Sequence, residues 1–113
     1  MLNKQKKSEK FFNLTYGEKT PSREEWESFY NEKVKFIDPT QAKTGIDAYI
    51  KAQDGLIRRC DDIYLKSHSI AINKNTAFVE WTIGLKIKGL DFSYDGTTRL
   101  IFDEEGKVKV HRE

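Results

Sequence analysis

Residues 76–88, TAFVEWTIGLKIK, place Ala77, Val79, Trp81, Ile83, Leu85 and Ile87 at every second position, with Glu80, Thr82, Gly84, Lys86 and Lys88 between them. Successive side chains of an extended chain point to opposite faces, so this unbroken period of two describes a long strand with one face buried. Phe78 is the large apolar residue out of phase. A half-buried strand needs neighbours on either side and a layer over its apolar face. The rest of the chain has to supply both.

The segments before it read as helical. Residues 4–16 carry Phe11, Phe12, Leu14 and Tyr16 behind a charged lead, the pattern of a short amphipathic helix ending near Gly17. Ser22-Arg23-Glu24-Glu25 is a capping box: the serine side chain can accept from the Glu25 amide while the Glu25 carboxylate reaches back. Trp26, Phe29 and Tyr30 follow at i, i+3 and i+4, one apolar helical stripe. Residues 34–39, VKFIDP, read as a short extended piece, because Pro39 biases Asp38 away from the helical region and the pair ends in a turn. Thr44-Gly45-Ile46-Asp47 resembles a second capping box, opening a helix along Ile46, Tyr49, Ile50, Ile57 and Cys60 that Asp61-Asp62 ends. Gly55 weakens that helix by about 1 kcal/mol relative to alanine, which implies close packing at that point.

Three further strands accompany the long one. Residues 63–72 change phase midway, with Ile63 and Leu65 on one face and Ile70 and Ile72 on the other, and a bulge near 67–69 reconciles them. Residues 91–102 hold Phe92, Tyr94, Thr98, Leu100 and Phe102 in one phase, and Gly96 marks a bend or bulge. After the turn at 103–106, residues 107–113 form the last strand. Segregated helices followed by a meander describe an α+β fold, with helices covering one face of a curved, mainly antiparallel sheet.

With 113 residues the chain is a single domain, 1–113. A net charge of +2 is too small, and its lysines too scattered, for a nucleic-acid surface. No run reaches the length of a membrane-spanning helix and the start lacks the apolar core of a signal peptide, so no membrane partner is expected and the cytoplasm is the default location. Cys60 stands alone, which excludes an internal disulfide and a cysteine metal cluster. At helical spacing it reads as core rather than nucleophile. His68 and His111 without a cysteine pair do not make a zinc site, and no glycine-rich phosphate loop is present, so neither metal nor cofactor is expected.

The order of these segments, with FIDP (36–39) before a glycine-opened helix, VEW (79–81) on a long strand and GKVKVHRE (106–113) at the end, resembles the NTF2-like superfamily and, within it, the SnoaL-like proteins. The resemblance covers nearly the whole chain. It implies a cystatin-like cone, related to the ketosteroid isomerases, that encloses a pocket between helices and concave sheet, and a homodimer through the outer face of the sheet. That pocket would take a small apolar molecule and be lined by Phe12, Trp26, Phe36, Trp81, Ile83, Tyr94 and Thr98. The alternative for the aromatic residues Trp26, Trp81, Phe92 and Tyr94 is that they fill the core.

The fold alone does not name a reaction. Asp38 matches the base of the ketosteroid isomerases, but their oxyanion donors fall on Phe11, Phe12 or Leu14 and on Thr98. The pair of strand residues used by limonene-epoxide-hydrolase-like members falls on Trp81 and Ile83, both apolar, with Glu113 alone kept in kind, which argues against hydrolysis. His111 and Glu113, two apart, share one face of the last strand and could move a proton near neutral pH. Val108 and Val110 lie in the opposite phase, so either both faces are partly buried or His111 is exposed. Two readings stand: a cofactor-independent acid–base isomerase or cyclase using Asp38 or the His111/Glu113 pair, with Trp81, Tyr94 and Thr98 shaping the site, or a non-catalytic pocket or dimerisation module. Convergence of at least two ionisable groups in one cavity separates them.

Overall fold

The computed structural model describes residues 22–113, which form two helices and six strands. In chain order these are α1 (Arg23–Phe29), β1 (Tyr30–Asp38), β2 (Gln41–Thr44), α2 (Ile46–Arg59), β3 (Asp62–Asn73), β4 (Thr76–Ile87), β5 (Leu90–Phe102) and β6 (Val108–Arg112). The helix expected over residues 4–16, and Phe12 with it, lies outside the described residues. The six strands make one sheet in the order β2-β1-β6-β5-β4-β3, against whose inner face the helices pack. This is the α+β cone expected from the sequence. One pairing was not expected. β1 runs parallel to β6, so the β1–β2 hairpin is added to the edge of the C-terminal meander.

The capping box at α1 forms as its spacing dictates: Ser22 Oγ accepts from the Glu25 amide at 3.2 Å, and the Ser22 amide donates to Glu25 Oε1 at 3.0 Å. The helix ends one residue earlier than its stripe implied. Tyr30 is extended and opens β1, opposite Val108 of β6, yet it stays buried. A nine-residue β1 replaces the short extended piece, and β2 was missed because QAKT is a mostly exposed edge strand with no apolar period. The box expected at residues 44–47 does not form. Gly45 is the N-cap of α2, at a φ of 98° that favours glycine, with no side-chain cap. At the other end the acids fall past the helix, whose last turn instead carries Arg58 and Arg59, in keeping with the helix dipole. Cys60 is the half-buried C-cap rather than a core residue.

Close packing does not explain Gly55. A Cβ built there meets nothing within 4 Å. Gly55→Ala is therefore expected to stabilise the domain by about 0.5–1 kcal/mol, since alanine restricts the unfolded chain and fits the helix. Urea unfolding measures this, and a destabilised variant would contradict it.

The alternation along β4 is observed as read, with Ala77, Val79, Trp81 and Ile83 buried and Phe78 on the outer face. The bulge in β3 is also present: the register against β4 shifts between Ser67 and Ser69, leaving His68 unpaired, so Ile63, Leu65, Ile70 and Ile72 all pack on the core. Gly96 forms no bulge, because β4 and β5 keep one register from end to end. It is instead the floor beneath the Trp81 ring, where a Cβ would come within 2.4 Å of the indole.

Candidate functional site

The last strand carries the decisive local feature. β6 pairs Val108 with Phe102 but Val110 with Ile101, so Lys109 is an extra residue, a bulge that reverses the alternation. Val108 and His111 consequently both face inward, and His111 is only 2% exposed. The phase conflict in the sequence disappears. Beyond β6 the Glu113 amide donates to the Ile37 carbonyl at 2.8 Å, continuing the pairing with β1 and keeping the Glu113 side chain on the His111 face.

A hydrogen-bonded chain runs from this carboxylate into the core. His111 Nε2 lies 3.0 Å from Glu113 Oε1, His111 Nδ1 lies 2.7 Å from the Tyr30 hydroxyl, and that hydroxyl lies 2.8 Å from the Tyr49 hydroxyl. A carboxylate only accepts, so a neutral imidazole carries its proton on Nε2 and donates it to Glu113. Nδ1 then accepts from Tyr30, whose oxygen accepts from Tyr49. For the neutral ring the geometry thus defines one tautomer and one direction along the chain. Phe36 and Tyr49 flank the imidazole at ring-centroid distances of 5.1 and 5.5 Å.

Glu113, His111, Phe36 and Tyr49 border a partly enclosed cavity of about 200 Å³ between α2 and the inner face of the sheet. Of the residues singled out in the sequence, Asp38, His111 and Glu113 all line it, with Phe36, Trp81, Ile83 and Tyr94. Trp26 and Thr98 do not. Trp26 packs edge-on against Tyr49 in the core, 5.4 Å between centroids. Thr98 is wholly buried behind Trp81, accepting from its indole Nε1 at 2.7 Å. Tyr49, Ala52, Gln53, Leu56 and Arg59 of α2, with Gln41 and Leu65, complete the wall, and none of them is assigned to the pocket from the sequence. The signal of the α2 residues is present: positions 49, 52, 53, 56 and 59 form a helical stripe, but the polar Gln53 and Arg59 interrupt it, so the apolar pattern follows the neighbouring isoleucines. Arg59 Nε donates to the Gly55 carbonyl at 3.1 Å, and its guanidinium makes no ion pair among the described residues. A larger polar hollow of about 680 Å³ near Arg23 is less suited to chemistry, since Arg23 there is already paired with Glu27 and Asp47.

Asp38 serves the turn as well as the cavity. Its Oδ1 accepts from the Thr40 amide and hydroxyl, both at 2.7 Å, and from the Gln41 amide at 2.9 Å, while Oδ2 accepts from the Gln41 side chain at 3.0 Å. Partial burial pushes its pKa up, but the bonds from Thr40 and Gln41 together outweigh it and hold the carboxyl below the usual range. Tyr94 shifts the other way. Burial, then the charge of Glu113, with Cys60 and Asp38 adding less, raises its phenol and keeps it neutral. Asp103, in the turn before β6, is also held low, chiefly by the Asn31 side chain and then the Lys107 amide.

A carboxyl whose folded pKa is depressed stabilises the fold above its unfolded pKa of about 3.9 and loses that contribution as pH falls through the folded value. The urea midpoint is therefore expected to stay level near neutrality and decline below about pH 4 as Asp38 and Asp103 are protonated. Asp103→Asn should make that acid decline shallower; an unchanged profile would show that Asp103 contributes nothing.

Comparison with known proteins agrees with this fold. The family model for the SnoaL-like domain matches residues 9–111. Among solved structures, a candidate SnoaL-like polyketide cyclase from Jannaschia sp. CCS1 superposes with a TM-score of 0.85 at 14% identity, covering 98% of this chain and 83% of that one. An NTF2-like protein of unknown function from Exiguobacterium sp. 255-15 gives 0.76 at 17% identity, over 96% and 94%. An epoxide hydrolase of the limonene-epoxide-hydrolase-like type from M. tuberculosis gives 0.77 at 15% identity, over 98% and 80%. At these identities the structures speak for the fold alone. No curated protein matches the chain in sequence. Among the described residues no helix is long and apolar enough to cross a membrane. The family match over most of the chain, on a cone whose helices and sheet enclose a cavity, establishes that this protein belongs to the SnoaL-like domain family.

Proposed function

We propose that the protein is a cofactor-independent acid–base catalyst of isomerase or cyclase type, acting on a small molecule that carries a carbonyl. The observation that supports this reading is the convergence of Glu113, His111 and Asp38 in one cavity, with His111 tied into a buried hydrogen-bonded chain. Glu113 is the base: its carboxylate takes a proton from the carbon next to the carbonyl, and the C–H electron pair moves into an enolate. In an isomerase the substrate is unsaturated, and that proton returns at the far carbon of the dienolate. In a cyclase the enolate carbon bonds to a second carbonyl carbon, and the proton passes to the alkoxide that forms. Donation from His111 Nε2 orients the carboxylate, and Tyr30 and Tyr49 hold the imidazole in the tautomer that does so. Arg59, on the opposite wall, offers positive charge to the enolate oxygen. Asp38 is a poorer base, because its lone pairs are occupied by four donors and its pKa is held low.

The cavity volume of about 200 Å³ is below the ~300–1,000 Å³ of drug-sized sites, so the reacting end of the substrate is small. The test is deuterium exchange. Small ketones are incubated with the protein in D₂O, and loss of the proton beside the carbonyl is followed by NMR. Exchange above the buffer rate is expected for at least one ketone. Exchange at the buffer rate for ketones that nevertheless bind would overturn catalysis and leave a ligand-binding pocket.

A further inference from the structure

Outward from the inner cavity lies a second cleft, of about 380 Å³, between the turn at Asp38, Pro39 and Thr40 and the middle of β5. The two share Asp38, Trp81, Tyr94 and Glu113, so those four residues form the threshold between them. One side of the cleft is aromatic. Trp81 and Tyr94 meet with centroids 6.1 Å apart and planes at 65°. The indole cannot swing freely: Nε1 is fixed to Thr98 and the ring lies on Gly96. The other side is acidic, with Asp38 secured by its turn and Glu113 by His111. None of the remaining lining residues, Pro39, Thr40, Gly96 and Thr97, is basic, and Arg59 lines the inner cavity alone.

We propose that this cleft binds a small organic cation, a protonated or quaternary amine, over the Trp81 and Tyr94 rings and between the Asp38 and Glu113 carboxylates. Each wall suits that chemistry. The negative face of an aromatic ring attracts a cation, most strongly for tryptophan, and an indole already locked in place loses little freedom on binding. The two carboxylates add negative charge to a cleft whose lining, among the described residues, holds no basic side chain, which favours a cation and rejects an anion. The field of both acids is felt at Tyr94, whose phenol they help to keep protonated. A methylated ammonium also brings apolar surface to the Tyr94 ring, which is 53% exposed and otherwise faces water, beside the largely buried Trp81. If the proton-transfer reading above holds, an amine seated here directs the chain attached to it through the threshold toward Glu113, and the substrate is an amine-bearing carbonyl compound. That extension rests on the earlier reading; amine binding itself does not.

The test compares choline with 3,3-dimethyl-1-butanol, its neutral counterpart of the same shape, by calorimetric titration of the whole protein. Choline is expected to bind about tenfold tighter or more. Asp38→Asn keeps an oxygen acceptor for the Thr40 and Gln41 amides while removing the charge, and should weaken choline about threefold or more relative to the alcohol. Tyr94→Leu should weaken choline in the same direction. Equal affinity for the two compounds, or no choline binding at millimolar concentration, overturns the proposal without touching the proton-transfer reading. Choline binding in a protein that exchanges no proton of the ketones it binds supports the cation site and overturns the chemistry.

Discussion

Trp81→Ala is expected to lower the free energy of unfolding by about 3–5 kcal/mol, a large share of the ~5–15 kcal/mol available to a domain of this kind. The indole is 6% exposed, rests on the Gly96 backbone, and donates to a threonine hydroxyl that is itself fully buried. Truncation removes the contacts of the largest side chain of β4 and leaves the Thr98 oxygen without its donor. It also takes away the wall between the inner cavity and the outer cleft. Trp81→Phe separates the contributions: it keeps a ring over Gly96 and loses chiefly the hydrogen bond, so a loss of about 1–3 kcal/mol is expected. Urea denaturation reads both. An alanine variant within about 1 kcal/mol of wild type would mean that the indole is not packed as described.

Glu113→Gln should reduce ketone proton exchange by about 10²–10⁴-fold, the usual effect of removing a positioned general base. The amide keeps the shape of the carboxylate, and it can accept from His111 Nε2, but it cannot take a proton from carbon. Ligand affinity should change far less than the exchange rate, and that split distinguishes chemistry from a general loosening of the site. His111→Gln acts through Glu113. It breaks the link from the carboxylate to Tyr30, so exchange should fall while its pH dependence changes shape. The Tyr30 hydroxyl retains Tyr49 as a partner, which limits the damage to the fold. If exchange persists at the wild-type rate in Glu113→Gln, Glu113 is not the base. If His111→Gln alters stability alone, His111 is a satisfied core residue and the chain of hydroxyls has no catalytic part.

Much of the architecture is legible residue by residue. The capping box at Ser22 depends on four consecutive residues and forms as written. The bulge in β3 follows from a phase change within one strand, which leaves no other way to keep Leu65 and Ile70 on the same core. Gly96 shows the opposite case. A glycine inside a strand pattern suggests a bulge, yet here the reason for it is a ring from the neighbouring strand, and no reading of β5 alone contains that ring. Tyr30 behaves likewise: it fits a helical stripe, but pairing with β6 draws it into a strand. Gln53 and Arg59 escaped notice because polar residues on a helix face are ordinarily solvated, and only the sheet opposite makes that face a cavity wall.

By itself, the sequence determined that β4 is long and buried on one side, that helices cover an antiparallel sheet, and that His111 and Glu113 travel together. Those properties follow from side-chain direction along a strand and from capping between near neighbours, both local in the chain. Tertiary structure alone decided that His111 faces the core, through one extra residue opposite β5, and that Tyr30 and Tyr49 reach it from two other elements. It also brought Asp38 and Glu113 to one cavity mouth by running β1 parallel to β6. Pairing partners, bulge positions and convergence across distant segments depend on which strands lie side by side, and that is settled by the packing of the whole sheet rather than by any single stretch.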